Sequence, residues 1–165
     1  MEPDGVAGCP HQVTGDDTAF EALYLAHFHP LVRLAVLLVD STAAAEDLVQ
    51  HVFAKLLDRW GTIDDPPAWL RVALVNACKN ERRRLGIARR HAPALVGSAT
   101  APDEPVDELM ASLRRLPYRQ RAVVVLRFYS DLSEAQIATT LDIRPGTVKS
   151  SLNRALARLR VEVAP

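Results

Sequence analysis

The chain of 165 residues has little of what most enzyme sites and membrane proteins need. Only two cysteines occur, Cys9 in a polar N-terminal stretch and Cys78 inside a helical pattern. That count excludes a disulfide framework or a four-cysteine metal site and fits a reducing compartment. The seven glycines never form a phosphate-cradling loop, and no nucleophile, base and orienting group stand in a recognisable set, so no enzyme is expected. The longest strongly apolar stretch, Leu31 to Val39, is nine residues and includes Arg33. A bilayer needs about 20, so no transmembrane helix is expected. Residues 1–18 lack a basic n-region and an apolar h-region, so no secretory signal is read there and the expected location is cytoplasmic. Cys9-Pro10-His11 supplies two ligands in a floppy tail, too few for a metal site, and no metal, cofactor or small-molecule substrate is expected.

What is present is an ordinary globular composition, 48% hydrophobic, with 20 basic and 20 acidic side chains. The zero net charge conceals a strong segregation. Residues 1–19 carry four acids and no base, and residues 93–109 carry Asp103, Glu104, Asp107 and Glu108 with no base. Residues 20–92 are net +2 and residues 110–165 are net +6. Two basic folded regions are therefore expected, flanked by acidic flexible segments.

Hydrophobic periodicity predicts an all-α chain in two small bundles. Phe20, Leu23, Tyr24, Phe28, Leu31, Leu34 and Leu38 recur at helical spacing over 19–39, with a bend expected at Pro30. Asp40 or Ser41 can cap a second helix over about 43–60, and Asp65 with Pro66 and Pro67 starts a third reaching about Leu85. The Pro- and Ala-rich stretch from 92 to 108 reads as a linker after a disordered acidic tail (1–18) and a first domain (19–91). In the second domain, 109–162, a helix ends near Pro117 and a more buried one covers Ala122 to Tyr129. Within it, Val123 to Leu126 is the only segment with any strand character. Ser133 and Gln136 have capping-box spacing, and helicity resumes from Gly146 to Arg160 after Asp142-Ile143-Arg144-Pro145.

Three polar faces stand out. Ile137, Ala138, Leu141, Ile143 and Val148 have the spacing of a helix-turn-helix, with small Ala138 allowing a close crossing. Its second helix offers Lys149, Ser150, Asn153 and Arg154, with Arg144 and Thr147 near its start, donors suited to phosphates and base edges. A helical hairpin with a solvated basic face is the plainer alternative. Asn76 and Asn80 lie one turn apart beside Lys79, Arg82, Arg83 and Arg84, a face able to hydrogen-bond displaced bases and hold phosphates. The alternative there is an asparagine pair satisfied inside the bundle. Glu46, Asp47 and Gln50 cluster outside the apolar stripe of the second helix as acceptors for a partner, or as a solvated surface.

Leu116-Pro117-Tyr118-Arg119-Gln120-Arg121 through Tyr129, Asp131-Leu132-Ser133, Ile137-Ala138 and Gly146-Thr147-Val148-Lys149-Ser150 together resemble the C-terminal domain of bacterial sigma factors. Ala45-Glu46-Asp47-Leu48-Val49-Gln50-His51-Val52-Phe53 resembles their core-binding helix. Pro67-Ala68-Trp69-Leu70-Arg71 with Asn76 and Asn80 resembles their minus-ten-reading helix. The two in this order resemble the extracytoplasmic-function (ECF) group over roughly 18–160.

The resemblance implies a promoter-specificity subunit of RNA polymerase. Glu46, Asp47, Gln50, Val52 and Phe53 would bind the clamp helices of the largest subunit, and the C-terminal domain the flap of the second. Arg71, Asn76, Lys79, Asn80, Arg83 and Arg84, with the loop at about 61–67, would read a displaced minus-ten strand. Arg144, Thr147, Lys149, Ser150, Ser151, Asn153 and Arg154 would read the minus-thirty-five element. Ser151 stands where the family often has Arg, and Asp142 where it often has Gly. An anti-sigma factor is a common partner in the family. The competing readings are a stand-alone helix-turn-helix regulator and a helical interaction module.

Overall fold

In a computed structural model, residues 15–91 and 108–163 are described. They form seven helices and no strand: α1 (Gly15–Val39), α2 (Thr42–Leu57), α3 (Pro66–His91), α4 (Glu108–Arg115), α5 (Tyr118–Phe128), α6 (Glu134–Leu141) and α7 (Pro145–Val163). Most of the expected tail, the Cys9-Pro10-His11 motif and the expected linker lie outside the described residues.

The first three helices pack together around α1. Leu31, Leu34, Ala35 and Leu38 of α1 are buried with Val49, Val52, Phe53 and Leu56 of α2 and Leu70, Leu74, Val75 and Cys78 of α3. At the other end of α1, Phe20 meets Trp60 edge-on at 5.1 Å, and Tyr24 meets Phe53 at 4.8 Å, an arrangement that suits the ring quadrupoles. Two expectations for α1 change. It begins at Gly15, inside the stretch expected to be tail. By length and composition it is also apolar enough to cross a membrane, with mean hydropathy 1.7 over Asp17–Val39. Counting only the longest uninterrupted run missed this, because isolated polar residues break a run without lowering a windowed mean much. Its Leu31–Val39 half carries core side chains.

Local capping fixes the other boundaries. Ser41 caps α2, its hydroxyl accepting from the Ala44 N–H, so the sequence alternative of Asp40 is not used. Asp65 Oδ1 accepts from the Ala68 N–H at 3.0 Å, and Pro66 and Pro67 occupy the first turn of α3, where a missing N–H costs nothing. α3 continues to His91, past the expected end at Leu85.

In the second module Val123 to Leu126 is helical, and α5 is buried nearly all round, which explains why its sequence has no polar face to give a helical period. The Ser133–Gln136 capping box is complete. Asp142 ends α6 in the left-handed region at φ 51, ψ 54, a conformation that Asp tolerates better than most side chains. Its N–H and that of Ile143 return to the Ala138 carbonyl, making the tight turn into α7.

The two modules share one core. Ala122, Val123, Val125, Leu126, Leu132, Ile137, Ala138 and Val148 belong to the same buried cluster as the α1–α3 residues, with α4 and α5 lying against α1 and α6 against α3. A smaller cluster of Leu113, Leu116, Val124 and Ala155 ties α4 to α7. Leu38, fully buried in the shared core, is a direct probe of it. Leu38→Ala is expected to lower unfolding stability by about 2–5 kcal/mol in urea denaturation. A loss under about 0.5 kcal/mol, typical of surface sites, would contradict the packing.

Candidate nucleic-acid and partner-binding faces

Three surfaces carry the residues singled out above, and burial divides each set. On α2, Glu46, Asp47 and Gln50 are exposed. Val52 and Phe53 are not: they are 2% and 3% exposed and face α1 and α3. The stripe that makes α2 amphipathic takes them inward, away from the exposed face of Glu46, Asp47 and Gln50, so they hold the helix in place, and Val52 reaches the surface only at the floor of the α2–α3 groove. Their assignment to a binding surface is corrected accordingly.

On α3, Asn76 and Asn80 are exposed and share a groove of about 420 Å³ with Trp69 and Ala73 of the same helix and Val52, Lys55, Asp58 and Arg59 of α2. Trp69 is half-buried and forms part of the groove wall rather than a free stacking platform. Lys79 is exposed and, with Asn76, borders a second groove of about 270 Å³ whose other wall is Tyr118, Arg119, Leu141, Asp142 and Ile143 of the C-terminal module. Arg83 is exposed. Arg84 is also exposed but engaged, donating to both oxygens of Glu81 at 2.8 and 2.7 Å. That pairing holds the Glu81 carboxyl below its usual carboxylate range, the hydrogen bond from Arg84 being the main cause.

Arg71 leaves the minus-ten set, and Arg82 leaves the wider basic face. Arg71 is half-buried and lines grooves walled by α1, by α6 and by the connection between α5 and α6, away from Asn76 and Asn80. Five residues from Asn76, it sits about 140° round the helix, which the residue count alone foretells. Arg82 points into the module junction, where it donates to the Leu38 carbonyl at 3.3 Å and lies over the Tyr118 ring at 5.6 Å.

On α7, Arg144, Lys149, Asn153 and Arg154 are exposed. Pro145 opens the helix, and the Arg144 carbonyl accepts from Thr147 and Val148. Thr147 and Ser150 are half-buried, and the Ser150 hydroxyl donates back to the Thr147 carbonyl at 3.2 Å. Ser151 is 5% exposed, beside Val148 and Ala155 on the inner face. It is therefore removed from the candidate DNA contacts, and its difference from Arg bears on packing rather than on readout.

Sequence reasoning missed the junction itself. Asp40, Arg82, Arg114 and Arg121 converge there, and Arg121 is fully buried. The signal was a cation at Arg121, one turn before Val124 and Val125 and so on the same apolar face of α5, a placement that demands a buried acid partner.

Comparison with known proteins follows this division. The Sigma-70 region 2 model matches residues 23–87, and the Sigma-70, region 4 model matches residues 107–159. The RNA polymerase sigma-E factor of Streptomyces coelicolor is 35% identical over 162 residues, covering 90% of this chain and 88% of that protein. The ECF RNA polymerase sigma factor SigM of Mycobacterium tuberculosis is 35% identical over 156 residues, covering 89% and 78%. The chain belongs to the ECF sigma factors. As an alternative sigma factor it directs promoter-specific transcription initiation, and a stand-alone helix-turn-helix regulator is not favoured, since region 2 is present as well. The fold of this ECF sigma factor is that of the Bartonella quintana sigma factor RpoE solved with the anti-sigma factor NepR (TM-score 0.74, 23% identity, 90% of this chain and 99% of that one).

The division of the α2 residues is testable by stability alone. Phe53→Ala is expected to cost about 3–5 kcal/mol in denaturant unfolding. Asp47→Ala and Gln50→Ala are expected to stay within about 0.5 kcal/mol of wild type. Equal losses for all three would contradict the inward placement of Phe53.

Proposed function

We propose that three exposed faces of this sigma factor divide the work of initiation. Glu46, Asp47 and Gln50 on α2 dock on the clamp helices of the largest subunit of core RNA polymerase, and the C-terminal module engages the flap of the second. Asn76, Lys79, Asn80 and Arg83 on α3, with the loop at 61–67, hold the displaced minus-ten strand. Arg144, Lys149, Asn153 and Arg154 on α7 read the minus-thirty-five duplex, with Thr147 and Ser150 at the edge of that face. Arg84 joins the minus-ten set once it exchanges Glu81 for a phosphate.

The observation that carries this reading is the pair of solvent-facing polar stripes on α3 and α7, one in each module, each rich in donors. A strand lying on α3 can place an unstacked base in the α2–α3 groove beside Asn76 and Asn80, while Lys79 and Arg83 hold its backbone. Unstacking costs a few kcal/mol, which is why the cations beside the asparagines matter. The α7 face suits a major groove, where Arg144, Lys149 and Arg154 can each pair with a guanine edge and Asn153 with an adenine edge.

The packed arrangement cannot serve both elements at once. Promoter elements centred about 25 base pairs apart lie about 85 Å apart in B-form DNA. A compact chain of this length is only about 40 Å across. Residues 92–107 join the modules and, fully extended, span at most about 55 Å. Engagement of a promoter therefore requires the modules to separate. Such a protein works in the cytoplasm, and an anti-sigma factor like the one held by the structural relative is the expected further partner.

Run-off transcription with core polymerase and a promoter library tests the whole reading. A promoter-dependent transcript is expected; none from an active core, together with tight duplex binding by the isolated chain, would overturn it. Asp47→Ala and Gln50→Ala are expected to weaken core binding, and unchanged affinity in both would remove α2 from the docking surface. Arg154→Ala is expected to cost about 1–3 kcal/mol on minus-thirty-five duplex and to relax preference at one position, as read in a titration at fixed salt. Unchanged affinity and preference would exclude it from readout.

A further inference from the structure

Asp40 ends α1 at φ 65, in the left-handed region that few non-glycine residues enter. With Ser41 capping α2, its carboxylate has no capping duty. Three guanidinium groups meet it instead: Arg82 of α3 at 3.4 Å, Arg114 of α4 at 3.4 Å and Arg121 of α5 at 2.7 Å. The last turn of α1 has no basic residue of its own. Its Leu38 carbonyl, one of those left without a partner in the helix, accepts from both Arg82 and Arg121. Cations suit that negative end of the helix, and two of these three are supplied by the C-terminal module.

Arg121 is the critical member. Its side chain is 0% exposed, Nη2 donates to the Arg114 carbonyl, and Nε has no hydrogen-bond partner. Burial pulls its pKa below the ordinary arginine value, and the Asp40 charge opposes that shift. Arginine does not shed its proton in proteins, so this buried cation is tolerable only beside its anion. The same seating fixes both ends of α5 on the N-terminal module: the Tyr118 hydroxyl donates to the Val75 carbonyl at 2.9 Å and the Tyr129 hydroxyl to the Pro30 carbonyl at 3.3 Å. It also brings Tyr118, Arg119, Asp142 and Ile143 up as a wall against Asn76 and Lys79.

We propose that Asp40 is the latch of an autoinhibited closed state, its carboxylate neutralising Arg121 at the module junction and so holding the C-terminal module against the minus-ten face of α3. The latch is reversible because both charges regain water when the modules part. Only the intermediate condition, Arg121 buried without Asp40, is strongly unfavourable. The seating itself does not depend on what the chain binds; the inhibitory consequence rests on Asn76 and Lys79 contacting the minus-ten strand.

The test compares wild type, Asp40→Asn, Arg121→Met and the double variant as full chains, by small-angle scattering and circular dichroism. Asn enters the left-handed region readily, so Asp40→Asn removes charge and keeps the turn. Asp40→Asn is expected to raise the radius of gyration by at least about 5 Å, the change for two compact modules moving apart. Arg121→Met is expected to remain compact, since Asp40 keeps Arg82 and Arg114. The double variant is expected to close again, because no buried charge is left. A compact Asp40→Asn, or a double variant as expanded as Asp40→Asn, would overturn the latch. If Asp40→Asn instead loses helicity, restoration of helicity and compactness by Arg121→Met supports the latch and failure to restore them overturns it. In run-off transcription with limiting sigma factor, Asp40→Asn is expected to reach half-maximal output at a concentration at least about threefold lower, a change of about 0.65 kcal/mol. An expanded variant with an unchanged requirement would overturn the inhibitory role while leaving the sigma assignment intact.

Discussion

Because Arg121 is buried with its charge, the packed arrangement of the two halves of this molecule depends on its salt bridge to Asp40. A fully buried guanidinium is not tolerated among valines and leucines unless an anion reaches it, and Asp40 Oδ1 does so at 2.7 Å. Everything at the junction follows from that requirement. α1 must end where its left-handed terminal residue can turn its carboxylate toward α5. Ser41 must take over the capping of α2, and α4 must lie close enough for Arg114 to share the acid. Around this polar centre the apolar residues of α5 and α6 complete a core begun by α1, α2 and α3. A charge cluster inside a continuous hydrophobic core is poor as a source of net stability but well suited to specifying one arrangement over others.

That arrangement conflicts with the work a sigma factor does. The residues on α3 and α7 suited to DNA face solvent, yet the modules carrying them are packed too closely to bridge two separated promoter elements. Closed packing and promoter engagement are thus alternative states, and the energy difference between them is set by the junction. A purely apolar junction would expose a large sticky surface on opening. One built around hydrated-when-open charges, with two tyrosine hydroxyls bonded to backbone carbonyls, loses less when it parts. Buried Cys78, its thiol pushed up to about 12 chiefly by burial, is inert packing within this core rather than a redox element.

Much of this was legible in the sequence, for physical reasons that differ by element. α2, α3 and α6 announce themselves because Ser41, Asp65 and Ser133 are local caps whose partners lie three residues away. The helix-turn-helix is legible because Ala138, Asp142 and Val148 satisfy close-packing and turn geometry within a few residues. α5 was harder: burial on nearly all sides removes the polar face that gives a helix its period, so Val123–Leu126 kept some strand character and its helical reading rested on its neighbours. The binding faces were legible as polar stripes, whereas burial sorted their members, turning Val52, Phe53 and Ser151 inward and Arg71 and Arg82 toward the junction. At the junction only the need of Arg121 for an acid was legible, and its pairing with Asp40 was not, since the two are 81 positions apart and no local pattern links them.

The central claim is that one chain alternates between a closed state held at Asp40 and a separated state that spans a promoter. The most direct measurement is the distance distribution between spin labels placed on exposed Leu25 of α1 and Arg158 of α7, in a Cys9→Ser background, for the free chain and for its complex with core polymerase and promoter DNA. The account predicts a single population within about 40 Å in the free chain. It predicts a shift to a population beyond that distance in the complex. A free chain already dominated by long distances, or a complex that keeps the short one, would contradict it.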